Sequence, residues 1–397
     1  MAQRIIYWFR NDLRLRDNEA LFSAVSSASE ILPVYVFDPR QFERTKLSFR
    51  RTGAMRAQFL LDAVIDLRNR LREKGGDLLI RVGAPEKIVA QLAEENNAQY
   101  VYTSKEIAPA ETRIESSLSK NLKLVNIDIK LFWMDTLMHA TDLPFPIAKL
   151  PSNFASFNDQ IKGNMRVKQP FAEPQKIVLP AEYDAGPVPE LSELGIEAAE
   201  LADLSTLGGE QASESLAQDI LQQYLNDYVK IGKQFDSPDP LTDTRLSDSL
   251  SLGCISARFI YDQVKNALPD GNHAEPMIEN LLSRDYYHWT LLRYGPRLFK
   301  PSGIKHNFLQ RWENDHALYE TWINGQTANR EVNQLMEKLK TTGFLTSSER
   351  TLCANYLVNE LGINWTWGAM YFESHLMDYE GSVNWGRWNN IAGVGEI

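Results

Sequence analysis

Apolar residues come in five short bursts along the first 130 positions: RIIYWF, ILPVYVFD, DLLIRVG, QYVYTS and LVNIDI. Each has the length and the β-branched or aromatic content of a strand. Between them the period lengthens. RAQFLLDAVIDLRNRLREKG sets leucines and alanines at i, i+3 and i+4 and stops at glycine, while PEKIVAQLAEENN starts on proline and ends in asparagines. This alternation predicts an α/β domain over residues 1–130, a doubly wound, parallel five-stranded sheet of Rossmann-like outline. Neither GxGxxG nor GxxxxGK[ST] occurs, so the sheet does not name its own ligand.

From 131 to 207 the pattern breaks into proline-rich, aromatic pieces such as LPFPIAKLPSNFASF, read as an interdomain connector packed on both neighbours. From 208 to 397 the chain becomes helical: SESLAQDILQQYLNDYV, SARFIYDQVKNAL, MIENLLSRDYYHWTLLRYG, NREVNQLMEKLKTTG, SERTLCANYLVNELG and WTWGAMYFESHLMDY. Ser256 and Ser348 suit N-caps, and Gly343 and Gly362 sit where helix ends favour a left-handed residue. An all-α second domain is expected.

Composition adds limits. A net charge of −10 over 397 residues argues against a general nucleic-acid coat. No apolar run approaches the ~20 residues that span a bilayer. Cys254 and Cys353 make no metal spacing and read as buried structural thiols. A cytoplasmic monomer without membrane contact is expected. The charge is uneven, however: residues 283–312 hold six Lys or Arg against one acid, interleaved with aromatics. Such a stretch suits DNA, single- or double-stranded, and equally a helix with a solvated basic face.

Two features of the last third could carry chemistry. Arg350 opens one helix and Asp378 closes another, so the two can pair, either at the surface or around a ligand. Trp312, Trp365 and Trp388 read as core residues or as redox groups.

WFRNDLRLRDNEAL, LPFPIAKLPSNFASF, LSDSLSLGCIS, TTGFLTSSER and INWTWGAMYFESHLMDYEGSVNWGRWNNIAGVG together resemble the photolyase/cryptochrome family, in the right order over nearly the whole chain. The middle pieces are closest to its DASH branch. The resemblance implies an antenna-type α/β domain, a helical domain holding FAD, and photo-induced electron transfer. By position, Arg350 and Asp378 match the pair around the isoalloxazine, and Asn384 matches the residue facing flavin N5. Thr244, Leu246 and Ser247 match the loop that holds the FAD phosphates, with Tyr228, Arg284 and Glu380 adding cofactor contacts. Trp388, Trp365 and Trp312 match, from flavin outward, the family's tryptophan wire. Glu106 stands where some relatives contact a pterin-type antenna, but its flanks differ and do not support that pigment.

The departures bear on the output. Repair members carry a tryptophan at Ser283, a glutamate at Asn280 and a lesion-stacking ring at Asn390, and the family usually has an asparagine and an arginine at Ser347 and Ser348. Asp243 stands for a phosphate-loop threonine, where a carboxylate repels a diphosphate. Losing two rings removes about 2–6 kcal/mol of base stacking at ~1–3 kcal/mol each. Tyr286, Tyr287 and Trp385 are the aromatics nearby that could substitute. The leading expectation is a blue-light flavoprotein of cryptochrome type, read by a protein partner. The alternatives are a DNA photolyase for pyrimidine dimers and a light-independent electron-transfer flavoprotein.

Overall fold

The computed structural model describes residues 3–197, 199–200, 212–231, 238–267 and 275–395. Strands β1 (Arg4–Phe9), β2 (Glu30–Phe37), β3 (Leu79–Val82), β4 (Tyr100–Ser104) and β5 (Asp128–Phe132) form one sheet in the order β3-β2-β1-β4-β5. Every pairing is parallel, with Ile5 opposite Ile31 and Tyr100. The pleat sorts β1 cleanly. Ile5, Tyr7 and Phe9 join a core with the Ala54–Glu73 helix, while Ile6 and Trp8 join another with the Pro85–Glu95 and Pro109–Leu124 helices. The last strand differs from the expected LVNIDI. Leu124 ends a helix, Asn126 turns the chain at φ 58°, and pairing starts only at Asp128.

The connector threads irregularly and includes the α-helix Phe154–Lys162, capped by the Asn153 side chain on Ser156 N. The second domain is helical. One core gathers around Tyr286 and Trp289, and another around Trp322, Trp365 and Trp388. Ser256 caps as expected, accepting from Phe259 N at 3.0 Å. Ser348 does not: Thr346 is the cap, in a reciprocal box with Glu349. Gly343 and Gly362 do take positive φ, at 62° and 66°. The tail, which lies beyond the six helical segments read from the sequence, forms a further helix, Gly381–Ile391.

The domains meet through backbone as well as side chains. Leu13 N donates to Leu252 O at 3.2 Å, and Gly253 lies so close that a Cβ there would sit 2.0 Å from Asn11 O. Beside this seam Asp17, fully buried, accepts from Ser256 Oγ at 2.6 Å and pairs with Arg258 at 2.9 Å. On the far side Gly53 N donates to Ser374 O, and Arg51 pairs with Glu373 at 2.8 Å. Cys254 and Cys353 are buried, free thiols. Among the described residues, no helix is long and apolar enough to cross a membrane, and no cluster could hold a metal.

Candidate functional site: a cavity between three helices and the tail

A cavity of about 350 Å³ opens in the helical domain. Helical spacing explains its lining. Asn280, Ser283, Arg284 and Tyr287 occupy i, i+3, i+4 and i+7 of the Glu275–Tyr294 helix, one continuous face. Asn384, Arg387, Trp388 and Ile391 form the facing stripe of the Gly381–Ile391 helix. Ser347, Arg350, Thr351 and Ala354 come from the helix Ser347–Asn355. Ser247 and Asp378 add to the wall.

Arg350 donates from one guanidinium nitrogen to Asp378 Oδ2 at 2.9 Å and from Nε to Leu345 O at 2.8 Å. The pair is shielded, its side chains 12% and 6% exposed. Asp378 Oδ1, Glu380 Oε2 and Ser247 Oγ are buried without a hydrogen-bond partner, each on a residue lining the cavity. Orphaned polar atoms around a cavity are what a hydrogen-bonding cofactor would satisfy. Asn384 Nδ2 donates to Ala369 O at 3.0 Å, which fixes the amide at the wall. Behind it Asp248 is lifted to about 7, first by burial and then by the charge of Asp378.

A second cavity, about 470 Å³, lies between the domains and shares Arg284, Tyr379 and Glu380 with the first. The dividing wall is a charge cluster, with Arg284 and His288 buried and Asp135 half-buried. Arg284 donates to Glu380 Oε1 at 2.7 Å and pairs with Asp135, whose other oxygen lies 2.7 Å from His288 Nε2. Burial alone would raise Asp135, but the Arg284 and His288 charges outweigh it and hold the carboxyl below its usual range. His288 moves up: burial lowers it, and Asp135 more than offsets that. Glu106 lines this second cavity and is raised to about 7, mainly by burial.

The expected residues are therefore partly assembled. Ser247, Asn280, Ser283, Arg284, Ser347, Arg350, Asp378, Glu380, Asn384, Trp388 and Asn390 all line the first cavity. Thr244 and Leu246 do not. Thr244 Oγ1 is bound to Pro240 O at 2.8 Å, and the Leu246 side chain is in the core. Asp243 is exposed outside the lining, and the Tyr228 side chain falls outside the described residues. Trp365 and Trp312 stand apart from the cavity, and both indole N–H groups donate to one acceptor, Pro301 O, at 3.1 Å each. The basic stretch 283–312 splits: Arg284 is buried, while Arg297, Lys300, Lys305 and Arg311 are exposed and none of these four lines the first cavity. Sequence reasoning missed Arg387, Asp239, Asp135 and His288. Arg387 was readable as i+3 from Asn384, and His288 as i+4 from Arg284. Asp239 and Asp135 come from loops and carry no periodic signal.

Residues 5–175 match the family described as DNA photolyase, and residues 277–396 match the FAD-binding domain of DNA photolyase. The chain belongs to the photolyase/cryptochrome family. Cryptochrome DASH of Gloeobacter violaceus is 36% identical over 99% of this chain and 80% of its own length. The Synechocystis homologue is also 36% identical, over 98% and 81%. A solved Synechocystis cryptochrome superposes with a TM-score of 0.89 at 34% identity, covering 99% of this chain and 82% of its own. The helical half is thus a photolyase-type FAD-binding domain, and the first cavity, with its orphaned polar atoms, fits that cofactor.

Proposed function

We propose that the protein is a light-driven flavoprotein whose tryptophans feed electrons to FAD, with a cryptochrome-like signalling output. FAD, when bound, supplies light absorption and one-electron chemistry. Arg350 would hold negative charge on the isoalloxazine, Asp378 would orient that guanidinium, and Asn384 would offer its amide at the ring edge. Trp388, 2% exposed at the cavity wall, is the donor nearest the cofactor, with Trp365 and Trp312 passing the hole outward.

The observation that carries signalling over ordinary dimer repair is the polar character of part of the cavity lining. Asn280, Ser283, Ser347, Asp239, Arg387 and Asn390 form that part, joined by bonds such as Arg387 to Ser347 Oγ at 3.0 Å. A pyrimidine dimer flipped from duplex DNA needs apolar or stacking walls to offset a few kcal/mol of unstacking. Incubating photoreduced protein with dimer-containing single- and double-stranded oligonucleotides tests this; dimers should persist in both. Dimer loss would favour the photolyase reading instead. That reading has one point in its support, the Tyr287 ring in the lining, held by Asn390 Nδ2 at 3.3 Å. Blue light with a thiol should reduce the bound flavin, and Trp388→Phe should slow this strongly. Reduction that ignores light would favour a light-independent electron carrier.

A further inference from the structure

Three indole N–H groups of this domain meet acceptors of two kinds. Those of Trp365 and Trp312 both meet the carbonyl of Pro301, which can polarise an N–H but cannot take its proton. The N–H of Trp385 meets a carboxylate. Trp385 Nε1 lies 3.3 Å from Glu373 Oε2 and 3.3 Å from the Tyr379 hydroxyl. Glu373 is fixed there because its Oε1 accepts from Arg51 Nε at 2.8 Å. Trp385 is also in electronic reach: its ring centroid is 5.8 Å from that of Trp365, edge to face at 74°. On its other side Phe299 lies 5.1 Å away, and Phe299, Glu373 and Tyr379 all line the interdomain cavity.

We infer that Trp385 and Glu373 form a proton-coupled side branch of the electron path, which traps an arriving hole as a neutral indole radical beside the interdomain cavity. The inference rests on the tryptophan-wire reading above. Bound FAD would supply the photo-oxidant at the cavity wall, and a hole left on Trp388 would pass to Trp365. One electron then moves from Trp385 to the Trp365 radical cation, and the Nε1 proton of Trp385 moves to Glu373 Oε2. Trp365 is neutral again, Trp385 is a neutral radical, and Glu373 is a neutral carboxylic acid, so total charge is unchanged. Deprotonation makes the return hop slow, because an indole radical without its proton is a far weaker oxidant of its neighbours. Resetting the branch takes one electron from a small reductant of the thiol or ascorbate class in the interdomain cavity, and Glu373 returns the proton. The Pro301 junction, with no base on either N–H, leaves holes on Trp365 and Trp312 cationic and mobile. The two acceptors thus divide the path into a conducting arm and a storing arm.

The test is time-resolved electron paramagnetic resonance on FAD-loaded protein after a flash, in H2O and D2O, with bound flavin measured for each variant. Wild type should show a neutral indole radical that forms more slowly in D2O and disappears on adding dithiothreitol. Trp385→Phe should lose that radical. Glu373→Gln should keep an indole radical in its cationic form, shorter-lived and without the solvent isotope effect. A neutral radical of unchanged yield, lifetime and isotope effect in both variants would overturn the branch while leaving the wire intact. An absence of any indole radical in wild type would remove the wire and the branch together. Should Glu373→Gln lose flavin through its broken pair with Arg51, Trp385→Phe and Trp385→Tyr decide the question.

Discussion

Gly368→Ala should displace the Trp388 ring, which lines the first cavity. A Cβ built on Gly368 would lie 2.2 Å from Trp388 Cη2, 2.7 Å from its Cζ3 and 2.6 Å from Leu357 Cδ2. Carbon atoms pack at about 3.5–4.0 Å, so ring or helix must shift by roughly 1 Å or more. The ring has little room behind it, with Phe372 at 5.1 Å and Trp322 at 6.4 Å between centroids. Its open side is the flavin cavity. Overpacking of this kind costs about 1–3 kcal/mol. Alanine's better helix propensity returns about 1 kcal/mol, leaving a net loss of about 0–2 kcal/mol by the same figures. Stability alone is therefore a weak readout; flavin occupancy is the sharper one. The absorbance ratio of bound flavin to protein should fall in Gly368→Ala. Removing the clashing atoms should restore it, so Trp388→Phe should harm less in the Gly368→Ala background than in wild type, with a coupling above about 0.5 kcal/mol in urea unfolding. A Gly368→Ala protein with full flavin and wild-type stability, additive with Trp388→Phe, would refute the reasoning.

Asp378→Asn leaves the Arg350 guanidinium shielded and unpaired, and should cost about 3–5 kcal/mol in urea unfolding together with loss of flavin. Asp17→Ala should cost a similar about 3–5 kcal/mol, because Arg258 at the domain seam loses its buried partner; limited proteolysis should then cut between the domains more readily. Burial pushes His375 down to about 4, from an unfolded value near 6.5. At this residue the unfolded chain therefore binds more protons between those values. The His375 contribution to stability should thus fall as pH drops from about 6.5 to about 4, by at most about 3 kcal/mol, against the opposite contributions of Asp248 and Glu106. His375→Gln should remove that contribution in thermal melts across the window, and an unchanged slope would reject the assignment.

Much of the architecture was legible because the periodic signal and the packing agree. The strands β1 to β4 alternate faces as their residues suggest, and the facing stripes at Asn280 to Tyr287 follow helical spacing. The failures have local causes. LVNIDI looked like a strand because a helix end and a strand start are both apolar, and only the left-handed turn at Asn126 separates them. The helix Gly381–Ile391 was hidden by its glycines and asparagines, which are weak helix formers. Gly386 has a packing role instead: a Cβ there would meet the Tyr287 ring at 2.3 Å. The pairing of Arg350 with Asp378 could be anticipated from helix ends. The Arg284, Asp135, His288 and Glu380 cluster could not, since Asp135 reaches it from the connector, far away in sequence.

The carbonyl of Pro301 poses a problem of another sort. Two tryptophans depend on one main-chain oxygen, and no substitution at position 301 deletes an oxygen that every amino acid carries. An alanine scan of the domain would register the two indoles and pass silently over the atom that joins them. Only a change in the backbone itself reaches it, such as replacing the amide between Pro301 and Ser302 by an ester, whose carbonyl is a weaker acceptor. The junction is thus written in the path of the chain, held by the turn at Gly303 against Val394, where a Cβ would strike the valine at 2.3 Å. Gly303 and Val394, which set that turn, are where inherited variation could alter the shared contact.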